Sequence, residues 1–431
     1  MSELQYLAGF GNEHESEALP GALPRGQFSP QQVPFGLYPE KFTATAFTAP
    51  RAENRRTWLY RIRPSVLHGK FSRITQQKFL TAPLSDAITP PNQLRWNPIE
   101  VPRHDADFLD GLVTVVANGS AAQQLGMAAH LYFANQSMER RYFYNADGEM
   151  LLVPQSGGLR LRTECGVLEV APGEIAIIPR GMKFAVDLLD ETARGYVCEN
   201  YGHQLRLAER GPVGSDGYAN DRDFMAPVAS YEDIEQEMRL LCKFQGHLYT
   251  TLLDHSPLDV VAWVGNAVPY KYDLARFNAM NSVTFDHPDP SIFTVLTSPS
   301  DTEGVANVDF VIFPPRWAVA ENTFRPPWYH RNTMSEFMGN IRGEYDGKKV
   351  GFLPGGMSLH NQMVPHGPDL GTYEAGSSSA PAEPVRIKDT LSFMFESRYS
   401  FNVTRWAIEH GALQDDYQEC WHGLPRADLS K

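Results

Sequence analysis

The chain has 431 residues, with 38 lysines and arginines against 51 aspartates and glutamates, a formal net charge of −13. This acidic balance argues against a nucleic-acid partner or an anionic membrane surface. The apolar runs, such as VDFVIF, are too short to cross a bilayer, and the first residues lack the basic and apolar regions of a signal peptide. We therefore expect a cytoplasmic protein.

The composition predicts a mainly β protein with a few helices. The 34 glycines and 32 prolines are spread along the whole chain, which is typical of many short strands joined by turns. Four cysteines, Cys165, Cys198, Cys242 and Cys420, are far apart and form no CxxC pair. Such spacing favours buried reduced thiols over a disulfide framework or a zinc site.

The first 60 residues predict an extended segment, because prolines recur between aromatic residues and exclude a helix. We expect this segment to wrap over a scaffold or a neighbouring subunit. From 140 to 190 polar and apolar residues alternate; Leu159 and Leu161, for example, interleave with Arg160 and Arg162. This period of two predicts half-buried strands.

The next predicted element is a helix over residues 230–244. Ser230 is a suitable N-cap, and Ile234, Met238, Leu241 and Cys242 recur at helical spacing. We place a domain boundary near residue 280, with a β-rich domain over 1–280 and a second domain over 281–431. The small, polar segment 374–384 is expected to be a mobile surface loop, with a lid as one possible role.

The most chemically distinctive part of the chain holds His330, Glu336, His360 and His366 within 37 residues. Two imidazoles and one carboxylate on one side of a metal form the facial triad of non-heme Fe(II) oxygenases. In a straight strand, His330 and Glu336 would lie about 20 Å apart, at about 3.3 Å per residue. A turn over residues 331–333 must therefore bring them together.

A hairpin is predicted to return the later histidines to this point. The run FMGNIRGEY leads into Asp346-Gly347, a strong hairpin signal, and KKVGFL is expected to be the returning strand. That strand continues through Pro354-Gly355-Gly356 to His360 and His366. A site at the mouth of a small β-barrel follows from this arrangement.

The order of these residues resembles the metal-binding part of a cupin. It departs from the usual pattern because Trp328 replaces the first histidine of His-x-His and Glu336 follows later than usual. Residues 140–190 resemble a second cupin-like barrel, with a turn at Pro179-Arg180-Gly181. Lys183 stands there where a ligand histidine is expected. We therefore predict two cupin-like β-barrel or sandwich regions, the first without a metal.

Longer motifs resemble the homogentisate 1,2-dioxygenase family over essentially the whole chain. They are YLAGFGNEHESEALPGALPRGQFSPQQVPFGLY, AFTAPRAENRRTWLYRIRPSV and PPWYHRNTMSEFMGNIRGEYDGK. The resemblance implies Fe(II)-dependent cleavage of the homogentisate ring by O₂ to 4-maleylacetoacetate, a step of tyrosine and phenylalanine catabolism. It also implies a homohexamer built as a dimer of trimers.

The same resemblance implies the roles of individual residues. The iron ligands would be His330, Glu336 and His366. His287 and His360 would be catalytic residues beside the metal, with His287 accepting a proton from the substrate hydroxyl. Tyr345 would contact the substrate, and His366 would border it as well. The position after the P-x-G turn favours His360 over His366 as a ligand, so both alternatives stay open at this stage.

Other functions share parts of this pattern. A gentisate-type dioxygenase or a metal-dependent sugar isomerase uses the same kind of metal centre, and only the long motifs separate them from the family above. A non-enzymatic bicupin for binding or storage is a further alternative, although such a protein is expected to lack a complete ligand set. Arg316 is a candidate for the substrate carboxylate that no family pattern supports.

Overall fold

A computed structural model describes residues 4–76, 78–280, 284, 286, 288–348, 350–378 and 383–430. Strands dominate this part of the chain. The strands are β1 Tyr6–Ala8, β2 His14–Glu17, β3 Tyr38–Thr43, β4 Arg56–Arg61, β5 Ser72–Ile74, β6 Leu94–Trp96, β7 Val113–Ala117, β8 Met127–Ala134, β9 Arg141–Asn145, β10 Glu149–Ser156, β11 Leu159–Thr163, β12 Gly166–Val170, β13 Glu174–Ile178, β14 Phe184–Leu188, β15 Ala193–Asn200, β16 Arg206–Leu207, β17 Phe224–Pro227, β18 Met238–Phe244, β19 His247–Leu253, β20 Val260–Gly265, β21 Tyr270–Asp273, β22 Thr294–Pro299, β23 Ala306–Phe313, β24 Arg316–Ala318, β25 Ser335–Arg342, β26 Met357–His360, β27 Val385–Ile387, β28 Leu391–Ser397 and β29 Asn402–Val403.

Helices are few and short. The α-helices are α1 Leu370–Ser377 and α2 Arg405–Glu409. Single 3₁₀ turns lie at Pro34–Gly36, Arg51–Glu53, Ala121–Gln123, Gly211–Val213, Asp221–Asp223, Leu274–Arg276, Pro290–Phe293 and Tyr417–Trp421. None of the described helices is long and apolar enough to cross a membrane. The predicted mainly β class with few helices is confirmed.

Three large sheets and two small ones make up the fold. A nine-stranded sheet has the order β1-β17-β21-β13-β10-β15-β8-β7-β29, and a seven-stranded sheet has the order β12-β11-β14-β9-β18-β19-β5. The third large sheet, with the order β16-β22-β23-β28-β25-β26-β6, carries the second half of the chain. The small sheets are β2-β20-β4-β3 and β24-β27.

The large sheets share one continuous apolar core. Between the nine-stranded sheet and the third sheet, the ring of Tyr196 packs edge-on against Phe393 at 4.8 Å, and its hydroxyl donates to the carbonyl of Gly356 at 2.8 Å. Each half of the chain also contributes strands to a sheet of the other half. β6 and β16 join the third sheet, and β29 pairs with β7 in the nine-stranded sheet. A division of the chain near residue 280 stays a prediction.

The alternating segment from 140 to 190 forms strands β9 to β14, as predicted. Leu159 and Leu161 are buried on one face, and Arg160 and Arg162 lie half-buried on the other. Glutamate and aspartate on the neighbouring strands pair with these arginines, as in the contact of Arg160 with Glu169 at 2.7 Å. The period of two therefore identified this region correctly.

The predicted helix over 230–244 is wrong, because residues 238–244 form strand β18. This strand pairs in parallel with β9 and forms a hairpin with β19. The two turn residues, Gln245 and Gly246, both have positive φ, at 49° and 75°, which suits a tight β-hairpin. Of the apolar positions at helical spacing, Met238, Leu241 and Cys242 are buried in this strand, whereas Ile234 lies before it and is exposed. Cross-strand pairing decided against the helix.

Two further expectations are corrected in part. The Asp346-Gly347 turn exists, with the amide of Lys348 donating to the carbonyl of Tyr345 at 3.0 Å. KKVGFL does not supply the returning strand, because β25 pairs instead with β26 after the longer connection 343–356. In the segment 374–384, the first residues belong to α1 instead of a loop, and 379–382 lie outside the described residues.

The N-terminal segment is extended as predicted, and a buried ion cluster fixes it. Arg61 at the end of β4 contacts Glu164 at 3.0 Å, Asp259 at 2.8 Å and Glu40 at 2.9 Å. Burial alone would lower the pKa of Arg61, but these carboxylates raise it above its usual value. Lys183 also contacts Glu164, at 2.9 Å.

Replacing Arg61 by methionine should destabilise the protein by about 3–5 kcal/mol, because Asp259 would be buried without its cation and Glu164 would keep only Lys183. The midpoint of urea denaturation measures the effect. Arg25→Met is the matched control, since Arg25 pairs with Glu15 at the surface and exposed pairs contribute less than about 1 kcal/mol. Equal midpoints for the two variants would contradict a structural role for the buried cluster.

Candidate metal centre

The strands of the third sheet and one backbone bridge assemble a polar cluster. Glu336 on β25 lies directly across from His360 on β26. His330 and His366 are joined by two backbone hydrogen bonds, of 2.9 and 3.1 Å between their amides and carbonyls. A bend at residues 333–334 then leads from His330 into β25. All four residues selected from the sequence are therefore brought together.

The carboxylate of Glu336 lies at the centre of this cluster. Its oxygens are 3.1 Å from Nε2 of His366, 3.6 Å from Nε2 of His330 and 3.7 Å from Nδ1 of His360. The side-chain amide of Asn332 donates a hydrogen bond to Oε1 of the same carboxylate. Ligand atoms of His330, Glu336 and His366 all lie within 4.8 Å of one another, so this group could hold a metal ion.

Hydrogen bonds fix the tautomers of two histidines. Nδ1 of His330 donates to the carbonyl of Trp328 at 2.7 Å, and Nδ1 of His366 donates to the carbonyl of Val364 at 2.9 Å. A carbonyl only accepts, so both rings carry a proton on Nδ1, and Nε2 is the atom that each ring turns toward Glu336. Such backbone partners commonly orient metal-binding histidines.

His360 is arranged differently. Its Nε2 lies 2.9 Å from the hydroxyl of Tyr417, and among the described residues its buried Nδ1 has no hydrogen-bond partner. Burial and the nearby His366 lower the pKa of His360 to about 3, so its ring is neutral. The described group whose ligand atoms all lie within 4.8 Å of one another contains His366 and not His360, which favours His366 for the ligand position.

The electrostatics of Glu336 suit a bound cation. Burial would raise the pKa of Glu336, but the adjacent His330, His360 and His366 outweigh it and hold the pKa well below its usual value. The result is an ionised carboxylate with only 5 % of its surface exposed. Two imidazoles and one carboxylate match the donor set of non-heme Fe(II) sites.

A cavity of about 410 Å³ opens onto this cluster. Along one wall, Asp309, Glu396, Glu336 and His360 are successive cross-strand partners on β23, β28, β25 and β26. Burial is the main cause that raises the pKa of Glu396 to about 8 and that of Asp309 to about 6. The cavity thus has a polar row that begins at the cluster and extends away from it.

Family comparisons agree with this geometry over the whole chain. Residues 5–274 match the model described as Homogentisate 1,2-dioxygenase N-terminal, and residues 275–428 match Homogentisate 1,2-dioxygenase C-terminal. The chain belongs to the homogentisate 1,2-dioxygenase family. Family membership indicates an enzyme of the dioxygenase type, with the His330, Glu336 and His366 group in its C-terminal part.

Solved structures similar to this member of the family are distant. A putative glyoxylate-induced protein from Pseudomonas aeruginosa is 9 % identical, covering 72 % of this chain and 98 % of its own, with a TM-score of 0.30. A deletion mutant of oxalate decarboxylase from Bacillus subtilis is 10 % identical, covering 74 % of this chain and 80 % of its own, also with a TM-score of 0.30. Similarity this low carries no inference about the site.

The remaining residues selected from the sequence have separate outcomes. Tyr345 lines the cavity, and burial raises the pKa of its phenol well above the usual value. Arg316 lines the cavity too, in an ion pair with Asp346. His287 lies outside the described residues, so its predicted role stays a prediction.

Several polar residues of the site were missed from the sequence. Asn332 orients Glu336, and Tyr417 comes from the far end of the chain to meet His360. Asp309 and Glu396 had a usable signal, because each interrupts an otherwise apolar strand, ANVDFVIF and LSFMFES. Charged residues in buried strands are rare unless they are paired or functional.

The different hydrogen-bond partners of His366 and His360 predict that replacing each residue will affect metal binding differently. His366→Ala and Glu336→Ala should fold but fail to retain a divalent metal, whereas His360→Ala should retain about one metal per chain, because His360 supplies no ligand atom. Metal analysis after gel filtration measures this. Glu344→Ala is the control, since Glu344 is exposed and eight residues from Glu336. Metal retained by His366→Ala and lost from His360→Ala would reverse the assignment.

Proposed function

We propose that the protein is an Fe(II)-dependent ring-cleaving dioxygenase that converts homogentisate and O₂ to 4-maleylacetoacetate. Membership of the homogentisate 1,2-dioxygenase family supports the reaction. The observation that carries the proposal is that Nε2 of His330 and Nε2 of His366 both face the ionised carboxylate of Glu336, while their Nδ1 atoms bond backbone carbonyls. These three residues are the proposed iron ligands.

Iron in this position would supply open coordination sites where a phenolate and O₂ meet, together with electron transfer between them. The chain's own residues prepare that chemistry. Backbone carbonyls hold the two ligand rings in one tautomer, and Asn332 holds the carboxylate. His366 also borders the cavity, so it contacts the substrate as well as serving as a ligand.

The walls of the cavity suit an aromatic acid with hydroxyl groups. Met338, Met394 and Phe313 form apolar surface that excludes water and packs against a ring. The phenol of Tyr345 stays protonated at neutral pH, so it can donate a hydrogen bond to the acetate group. We assign the deprotonation of the substrate hydroxyl to His287 and keep His360 as a neutral catalytic residue beside the ligands.

The overall reaction balances without a further reductant. The bond between the ring carbon bearing the acetate group and its neighbour bearing a hydroxyl breaks, and both atoms of O₂ enter the product. The proton that leaves the substrate hydroxyl goes to His287. The ring supplies the electrons that reduce O₂, so the cofactor returns to its starting oxidation state.

We further propose a cytoplasmic homohexamer, built as a dimer of trimers, that acts in tyrosine and phenylalanine catabolism. Large apolar side chains on the surface of the single chain support an assembly. They include Phe47, Val66, Ile88 and Val350. Four free cysteines, three of them buried, suit a reducing compartment.

An oxygen-electrode assay of the Fe(II)-loaded protein tests the function. Homogentisate should drive O₂ uptake at least about 10-fold faster than gentisate, because the polar groups that meet the acetate are left unsatisfied when that side chain is shortened. A chelator should abolish the uptake. Equal rates on the two substrates would favour a gentisate-type dioxygenase, and no uptake with either would favour a binding or storage protein.

The proton acceptor is tested separately from the ligands. His287→Ala should retain iron but turn over about 10²- to 10⁴-fold more slowly, as expected for the loss of a general base. His247→Ala, at an exposed position on β19, should match the parent in both respects. Iron content and turnover of both variants, measured side by side, give the answer. Loss of iron from His287→Ala would assign His287 to the ligands instead.

A further inference from the structure

Three carboxyl groups lie in one straight row on the cavity wall. Asp309, Glu396 and Glu336 are direct cross-strand partners on the adjacent strands β23, β28 and β25, and all three border the cavity. Neighbouring strands are about 4.8 Å apart, so the backbone distance from Glu336 to Asp309 is about 10 Å. That span accommodates one six-membered ring with an oxygen atom at each end.

Asp309 carries an unused acceptor at the far end of this row. Its Oδ1 is buried, and within the described part of the chain it has no hydrogen-bond partner. The hydroxyl of Thr297, the cross-strand partner on β22, hydrogen-bonds the same carboxyl group. A buried acceptor without a partner costs free energy, so a donor from a bound molecule would be stabilising there.

No cationic side chain of the cavity occupies that acceptor. Arg316 is paired with Asp346, and the ammonium of Lys348 contacts the carbonyl of Gly367. The donor that reaches Asp309 therefore comes from a ligand or from water. A ligand hydroxyl suits the position, since it is neutral and donates along a single direction.

Apolar surface lies beside the acidic row. Met338 and Met394, each two residues from an acidic member of the row, face one another across β25 and β28 and line the same cavity. Methionine side chains pack favourably against aromatic rings. A ring placed over them has its edge along the acidic row, with one end at Glu336 and the other at Asp309.

We propose that Oδ1 of Asp309 accepts a hydrogen bond from the substrate hydroxyl opposite the one at the metal centre, which makes Asp309 a specificity-determining residue for para-dihydroxybenzenes. The inference rests on the proposed function and adds the recognition of the second hydroxyl. Asp309 offers an acceptor and no cation, so the acetate of the substrate points toward the phenol of Tyr345 instead. Monophenols and compounds with a carboxylate at the far position are thereby disfavoured.

Anaerobic calorimetric titration of the Fe(II)-loaded protein tests the proposal without turnover. The probes are homogentisate and 2-hydroxyphenylacetate, which lacks only the second hydroxyl. The parent should bind homogentisate about 10-fold or more tightly than its analogue. Asp309→Ala should reduce this ratio to near one through weaker homogentisate binding alone, and Asp309→Asn, with a neutral acceptor, should give an intermediate ratio.

Asp301→Asn is the matched control and should keep the ratio of the parent, because Asp301 is an exposed acid in the turn before β23. If Asp309→Ala does not fold, the affinity ratio of Asp309→Asn is compared with that of the parent and should be smaller. An affinity ratio equal to that of the parent in the Asp309 variants would overturn the proposal. If the Asp309 variants keep the parental affinity ratio and the parent consumes O₂ with homogentisate, this inference is wrong and the proposed function stands. If the parent shows no O₂ uptake with homogentisate, the proposed function itself is wrong.

Discussion

The second half of the fold depends on keeping one buried carboxylate, Glu336, ionised. An isolated carboxylate with so little contact with water would take up a proton. Three imidazoles and one amide surround it and reverse that tendency. The pairing of β25 with β26 and the bridge between His330 and His366 place these groups around it. The cluster is therefore negative at its centre, surrounded by ring nitrogens, and suited to a divalent cation.

In the first half of the chain, a cation of the chain itself keeps another buried carboxylate ionised. Glu199 is fully buried between β8 and β10, and Lys243, His130 and Asn145 contact its carboxylate. Burial would raise the pKa of Glu199, but Lys243 and His130 lower it to about 2. Arg61 similarly forms a buried ion pair with Glu164. A permanent cation of the chain stands in each cluster, whereas the group around Glu336 contains histidines and an amide.

Strand register links the metal centre to the rest of the cavity. Asp309, Glu396, Glu336 and His360 come from four strands that are distant in sequence, yet side chains at matching register positions face the same side of a sheet. A shift of one residue in β28 would turn Glu396 away and bring an apolar neighbour into the row. The hydroxyl of Tyr196, in the nine-stranded sheet, donates a hydrogen bond to the carbonyl of Gly356 at the end of the 343–356 connection and so helps to fix that register. The core thus controls the polarity of the site.

The sequence by itself determined the type of chemistry. Histidine and glutamate within 37 residues, the alternation from 140 to 190 and the long family motifs were sufficient to predict a β protein with a metal-binding cluster. These signals are local, so they survive without knowledge of the fold. The error at β18 has a physical cause, because Met238, Leu241 and Cys242 fit one side of a helix and also fit a strand buried on both faces.

Only the tertiary structure decided which nitrogen atoms face Glu336. Sequence order left His360 and His366 interchangeable, and in the structure the carbonyl of Val364 on one ring and the hydroxyl of Tyr417 on the other distinguish their nitrogen atoms. The acidic row was equally hidden, since Asp309 and Glu396 are 87 residues apart and meet through strand pairing alone. Residue types set the chemistry that is available, whereas register and hydrogen-bond direction, which depend on contacts between distant segments, determine how it is arranged.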